Sequence, residues 1–195
     1  MPWVETASGV GQEQEGQVAG MRQDCCNGLV HFNPYGGAAA QLAVRLVNAA
    51  PEQSLFDLLD EADYKPLTPL SEEQIAELRR WIGRLDEVFT APSVDVLNDL
   101  LAETTSQPYI STHDGRAPHL HYSRIDAPLH ERVKAYTAAG LAELFCEDPG
   151  RIGRCARPGC ATVYVDTSRN GRRRFCSTRC SNRVHVADHR SRRSA

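Results

Sequence analysis

No run of about 18 apolar residues occurs in this chain, so nothing in it reads as a membrane-spanning helix. The segment Met1–Gln23 is rich in Gly, Gln and Glu and lacks the basic-then-apolar pattern of a secretion signal, which makes the cytoplasm the expected compartment. No internal repeat or long low-complexity tract is present, and no Gly-rich phosphate loop. The most telling absence is local. Between Arg151 and Ala195 there is no lysine, and Asp166 and Asp188 are the only acids beside twelve arginines, giving a formal charge of +10. Because the whole chain carries −3, residues 1–150 carry −13. Such asymmetry marks a nucleic-acid-binding arm joined to something else, and a net pI of about 6.2 hides it.

With 195 residues, 41% of them hydrophobic and 24% charged, the chain can bury one core of roughly 100 to 150 residues and carry a small module besides. Two unequal domains are expected. Residues 1–24 lack any apolar period and read as a disordered lead-in. Helices are expected from Ala38 to Ala50, after the Gly36-Gly37 break and up to Pro51, and from Ser54 to Ala62. The clearest helix begins at Ser71, whose Ser-Glu-Glu-Gln is a capping box, and carries Ile75, Leu78, Ile82, Leu85 and Phe89 at helical spacing until Pro92. Ser93 caps the next, with Val94, Val96, Leu97, Leu100 and Leu101. The period then changes to two. Tyr109–Thr112, a His113-Asp114-Gly115 turn and His119–Tyr122 predict a β-hairpin. Asp126 is expected to cap a last core helix bearing Leu129, Val133, Tyr136, Leu141, Leu144 and Phe145, with Glu147–Gly150 as a short linker. The fold class is therefore mainly α with a small hairpin, and the helical domain spans 25–147.

Seven cysteines are present, an odd number. Four of them, Cys155, Cys160, Cys176 and Cys180, read C-x4-C-x15-C-x3-C. Zinc takes four thiolate or imidazole ligands in a tetrahedron, and close pairs of cysteines let one turn present two sulfurs to one ion. A chain this size does not depend on disulfides, so one structural Zn2+ is expected. Catalytic zinc is disfavoured, because it keeps an open position and commonly uses His or carboxylate. Pro158-Gly159 suits the tight turn inside the first pair. Thr162–Val165 and Arg172–Phe175 flank Asn170-Gly171, which predicts a hairpin between the pairs, and Cys176 and Cys180 lie one helical turn apart at the start of a helix running toward Arg190. Knuckle, hairpin and helix describe a treble-clef-like finger. An arm of about 40 residues with so few large apolar groups cannot fold on burial alone, and the metal must contribute on the order of 10 kcal/mol. Cys25, Cys26 and Cys146 are read as buried or idle thiols.

On that last helix Arg179, Asn182, Arg183, Val186 and Arg190 recur at three- and four-residue steps. Arginine forks match guanine and asparagine matches adenine, while Arg172, Arg173, Arg174, Arg192 and Arg193 suit phosphates. For any one of these residues a solvated surface charge is the plainer reading. His185 and His189 repeat at i and i+4, but the hairpin strand lacks the histidine that a treble-clef nuclease needs.

These motifs support a family resemblance. The C-x4-C pair, Asp166-Thr167-Ser168-Arg169-Asn170, the Arg-Arg-Arg-Phe-Cys176-Ser177 run and Cys180-Ser181-Asn182-Arg183, followed by His189-Arg190-Ser191-Arg192, resemble the CGNR zinc finger over residues 151–195. Ser181 stands where that motif has glycine, and a helical position accepts serine. In the family the finger follows a helical domain called ABATE, which residues 25–147 resemble, with Ala40–Asn48 a loose version of its opening motif. The resemblance implies a stress-responsive bacterial transcription regulator on the nucleoid, the finger binding duplex DNA and the helical part sensing a small-molecule effector or forming a homodimer. Two other readings remain open. One is an adaptor using the finger on RNA or protein, disfavoured for single strands because only Tyr164 and Phe175 supply aromatic platforms in the arm. The other is an enzyme built on His113, Asp114, His119 and His121 with Tyr109, Asp126 or Glu131. No nucleophile context or ordered ligand motif accompanies them, so a non-enzymatic protein is expected.

Overall fold

The computed structural model describes residues 34–62, 69–104, 106–112 and 118–194. The expectations for the lead-in 1–24, for Cys25 and Cys26 and for the turn at 113–115 lie outside the described residues. Helix α1 spans Pro34–Asn48. It starts before the Gly36-Gly37 pair instead of after it, because proline's fixed φ suits a first helical position and the glycines then fall within the opening turn. Helix α2, Leu55–Glu61, is capped by the Ser54 side chain accepting from the Asp57 amide. In α3, Glu72–Thr90, both reciprocal bonds of the Ser71/Gln74 capping box are made, and Leu78, Trp81, Leu85, Val88 and Phe89 are buried. Helix α4, Val94–Ala102, is capped by Ser93 and buries Leu97 and Leu100.

Helix α5, Leu129–Glu147, follows Pro128 with no side-chain cap. Asp126 does not cap it, contrary to expectation. Both of its carboxylate oxygens accept from the Arg124 guanidinium, each at 2.9 Å. α5 is the central element and lies against α1, α3 and α4. Its approach to α1 is set by small residues: a Cβ at Gly140 would stand 2.3 Å from Ala39 Cβ and 2.7 Å from Ala40 N. Two backbones this close leave room for hydrogen only. Trp81 Nε1 donates to the Thr137 hydroxyl at 3.0 Å between α3 and α5, so the one polar atom of the indole is satisfied inside the core.

Strands β1, Tyr109–Ser111, and β2, His119–His121, form the expected antiparallel hairpin, with Ile110 opposite Leu120. The remainder departs from the sequence reading in its pairing. After α5 one 3-10 turn, Pro149–Arg151, leads directly into β3, Ile152–Arg154, where Asp148 accepts from the Gly150 amide at 2.9 Å. β3 pairs antiparallel with β4, Val163–Val165, with Gly153 opposite Tyr164. The expected hairpin between 162–165 and 172–175 does not form, although a turn is made at Asn170-Gly171 with Gly171 at φ +56°. The far edge of β4 is already taken: Asn48 receives the Val163 N–H at 2.9 Å and donates to its carbonyl at 3.0 Å, and Arg173 donates to the Val165 carbonyl at 3.2 Å. Side chains there do the work of a third strand.

Ile152, Val163 and Val165 belong to the same buried cluster as the helices. Arg154 reinforces the contact from β3, donating to the Asp86 carboxylate and to the Thr90 hydroxyl on α3. Gly140→Ala should therefore force α1 and α5 apart and lower stability by about 1 to 3 kcal/mol in urea unfolding. Gly83→Ala is the matched control, since a Cβ there meets nothing within 4 Å, and it should be neutral or stabilising by roughly 0.5 to 1 kcal/mol.

Candidate metal centre

The four cysteines come from two separate stretches, and each stretch is shaped before the sulfurs meet. Cys155 leaves β3 with its amide donating to the Thr162 carbonyl at 2.9 Å. The Pro158-Gly159 turn closes with the Cys160 amide on the Arg157 carbonyl at 3.0 Å, and Gly159 takes φ +73°, a left-handed backbone that costs glycine little. The second stretch is organised by Asp166. Its buried carboxylate accepts from the Ser168 amide at 2.9 Å and the Arg173 amide at 2.7 Å. Beneath this turn lies Arg151, 5% exposed, donating to the Asp166 carbonyl at 2.8 Å and the Ser168 carbonyl at 2.7 Å. The Ala156 amide donates to the Arg174 carbonyl at 2.8 Å and ties the two stretches together. Ser177 then accepts from the Cys180 amide at 3.3 Å, opening helix α6, Thr178–Ser194.

As a result the four sulfurs lie within 4.8 Å of one another. Cys160 is 3.9 Å from Cys176 and 4.0 Å from Cys180, with 3.5 Å between the last two. A tetrahedron with zinc–sulfur bonds of about 2.3 Å has edges of about 3.8 Å, so the cluster fits the ion closely. Four sulfurs would occupy all four positions of a tetrahedral zinc and leave none open for substrate, which is the donor set of a structural centre. Without a cation such crowding splits the thiols. The Thr162 hydroxyl and amide, aided by the Arg157 guanidinium, hold Cys160 down at about 6, while burial and the neighbouring thiols push Cys176 up to about 11. The Ser177 hydroxyl keeps Cys180 below its usual value, and Arg157 Nε stands 3.2 Å from its sulfur. Zinc supplies the charge that lets all four ionise together.

Residues 151–193 match the model of the CGNR zinc finger family. No curated protein matches the chain. The CGNR match contains all four cysteines, both finger strands and nearly all of α6, and with the sulfur geometry it makes Cys155, Cys160, Cys176 and Cys180 a zinc-binding site in a zinc finger.

The structure brings Arg179, Asn182, Arg183, Val186 and Arg190 together along one shallow concavity on α6. Arg172, Arg174, Arg192 and Arg193 are exposed and do not line that concavity. Arg173 is placed differently: its guanidinium donates to the carbonyls of Val165, Phe175 and Cys176 and lies 4.9 Å over the Tyr164 ring. That side chain holds the loop before Cys176. His185 and His189 border a second concavity with Arg193, and His185 meets Phe175 edge-on at 6.2 Å. On the β1–β2 hairpin, His119 and His121 approach Nε2 to Nε2 at 3.0 Å and Tyr109 stacks on His121. Glu131 is engaged elsewhere, with Lys134 at 3.0 Å and His130 at 3.6 Å.

Arg151, Arg154, Arg157 and Asn48 shape the centre without having been singled out from sequence. Only Arg157 left a signal, by lying inside the C-x4-C pair. Mass spectrometry of the native protein should give one zinc per chain, and Cys176→Ser should abolish it together with the protease resistance of residues 155–180. Zinc retention against a chromogenic chelator should weaken as pH falls, since each binding thiol must shed a proton. Burial works against ionisation of Asp166, but the Ser168 and Arg173 amides and Arg151 outweigh it and leave the carboxyl below its usual range. Its contribution is therefore present above about pH 4 and lost as acid protonates it. At neutral pH, Asp166→Asn should cost about 1 to 3 kcal/mol in thermal unfolding of the zinc-loaded protein.

Proposed function

We propose that this protein is a bacterial DNA-binding regulator whose zinc finger presents α6 to duplex DNA, while the helical part, an ABATE-like regulatory domain, answers a stress signal. The observation that carries this reading is the exposure of α6. Its first turn is pinned by the zinc centre and the Ser177 cap, yet every residue from His185 to Arg193 is exposed, including Val186 at 49%. A helix of 17 residues is about 25 Å long, and the B-DNA major groove, about 12 Å wide, accepts one. Arg179, Asn182, Arg183 and Arg190 would meet base edges in the groove, with Arg172, Arg174, Arg192 and Arg193 on phosphates.

Binding to single-stranded RNA through the arm is the weaker reading because of Tyr164. Its ring is buried and covered by Arg173, and its hydroxyl donates to the Arg173 carbonyl at 2.7 Å, so it is spent as a stacking platform. In this proposal the chain is a binding protein without catalytic residues, located on the nucleoid and pairing through its helical part.

The test is fluorescence anisotropy of zinc-loaded, full-length protein on labelled duplexes over a salt series. Log affinity should fall linearly with log salt at about −0.9 per phosphate neutralised, and chelation should remove binding. Arg183→Gln or Arg190→Gln should weaken it about tenfold or more. Absence of duplex affinity at low salt would refute the proposal, and tighter competition by structured RNA would favour the adaptor.

A further inference from the structure

A cleft of about 390 Å³ opens where α1 meets the finger. Gln41, Val44 and Arg45 of α1 form one wall, and Thr162, Thr167 and Arg173 of the finger face them. Its size falls at the low end of small-molecule sites, which run from about 300 to 1,000 Å³ and favour the seam between domains. The walls are polar, and their two guanidiniums are joined by three hydroxyls, two carboxamides and the sulfur of the metal-ligating Cys176. Among the described lining residues there is no carboxylate, and the Asn48 carboxamide and Tyr164 hydroxyl are engaged with Val163 and the Arg173 carbonyl. Arg45 uses one donor on the Glu61 carbonyl at 3.3 Å, and Arg173 uses three on carbonyls. A guanidinium carries five.

We infer that this cleft binds a small organic anion bearing a carboxylate or phosphate, and that the anion links the helical part to the finger. The site rests on the regulatory role proposed for the helical part and gives that role a ligand class. Arg45 supplies charge from α1, and the threonines and Gln41 orient the oxygens. Arg173 is the coupling residue, because the carbonyls it holds belong to Phe175 and Cys176, immediately before α6. An anion drawing on Arg173 changes the tension on the loop that aims the helix.

The experiment is isothermal titration of zinc-loaded, full-length protein, without DNA, with inorganic phosphate, succinate, glycerol 3-phosphate and, as the uncharged match, glycerol. At least one anion should bind one to one below about 1 mM while glycerol does not. The succinate and phosphate arms tell carboxylate from phosphate. Arg45→Gln should weaken the anion about tenfold, and Arg45→Lys should recover part of the loss. Arg80→Gln, outside the cleft on α3, should leave it unchanged. Undiminished binding in Arg45→Gln would place the anion on other arginines and overturn the inference, as would no binding by any of the three anions. Because DNA is absent from the titration, loss of the DNA reading alone would leave this result standing.

Discussion

Four sulfurs drawn from two stretches of chain must share one cation, and the form of the C-terminal quarter follows from that requirement. Cys155 and Cys160 end and restart the path between β3 and β4, whereas Cys176 and Cys180 open α6. All four sulfurs lie within 4.8 Å of one another, and the 3.5 to 4.0 Å among Cys160, Cys176 and Cys180 matches the edges of a tetrahedron around zinc. Concentrating negative charge this way is tolerable only beside compensation, which Arg157 provides against Cys180. The sulfur cluster thus turns a chain segment poor in large apolar groups into a platform with a helix fixed at one end.

The platform is not appended loosely. Ile152, Val163 and Val165 extend the helical core, Asn48 closes the outer edge of β4, and Arg154 reaches Asp86 and Thr90 on α3. Exposed strand edges invite unwanted pairing, and using an asparagine carboxamide to satisfy both backbone groups of Val163 removes that hazard without another strand. The cost is that α1 and the finger must keep their relative position. Any ligand that bears on Arg45 and Arg173 acts across this joint.

Charge divides the molecule by purpose. Arginines near the metal are largely occupied in structure: Arg151 supports the Asp166 turn, Arg154 docks on α3, and Arg173 holds three carbonyls. Those further along α6 point outward from a helix that nothing covers beyond residue 184 among the described residues. An excess of +10 in this segment is therefore two populations, one solving a folding problem and the other making the exposed length of α6 strongly cationic.

Local chemistry was readable without coordinates. The capping box at Ser71 and the cap at Ser93 arise from contacts within a few residues, and the hairpin at 109–121 and the two cysteine pairs from short-range spacing, so sequence alone determined five of the six helices among the described residues closely and named all four sulfur ligands. What escaped it was decided at long range. Residues 172–175 add no strand to β4, which pairs with β3 instead, because the far edge of β4 is claimed by Asn48, 115 residues from Val163, and by Arg173 beyond the Gly171 turn. Asp126 failed as a cap because Arg124 took both its oxygens while Pro128 filled the position before the helix. Spacing specifies which groups can meet along a turn or helix, but competition among distant donors and acceptors for one backbone edge is settled only when the chain has packed.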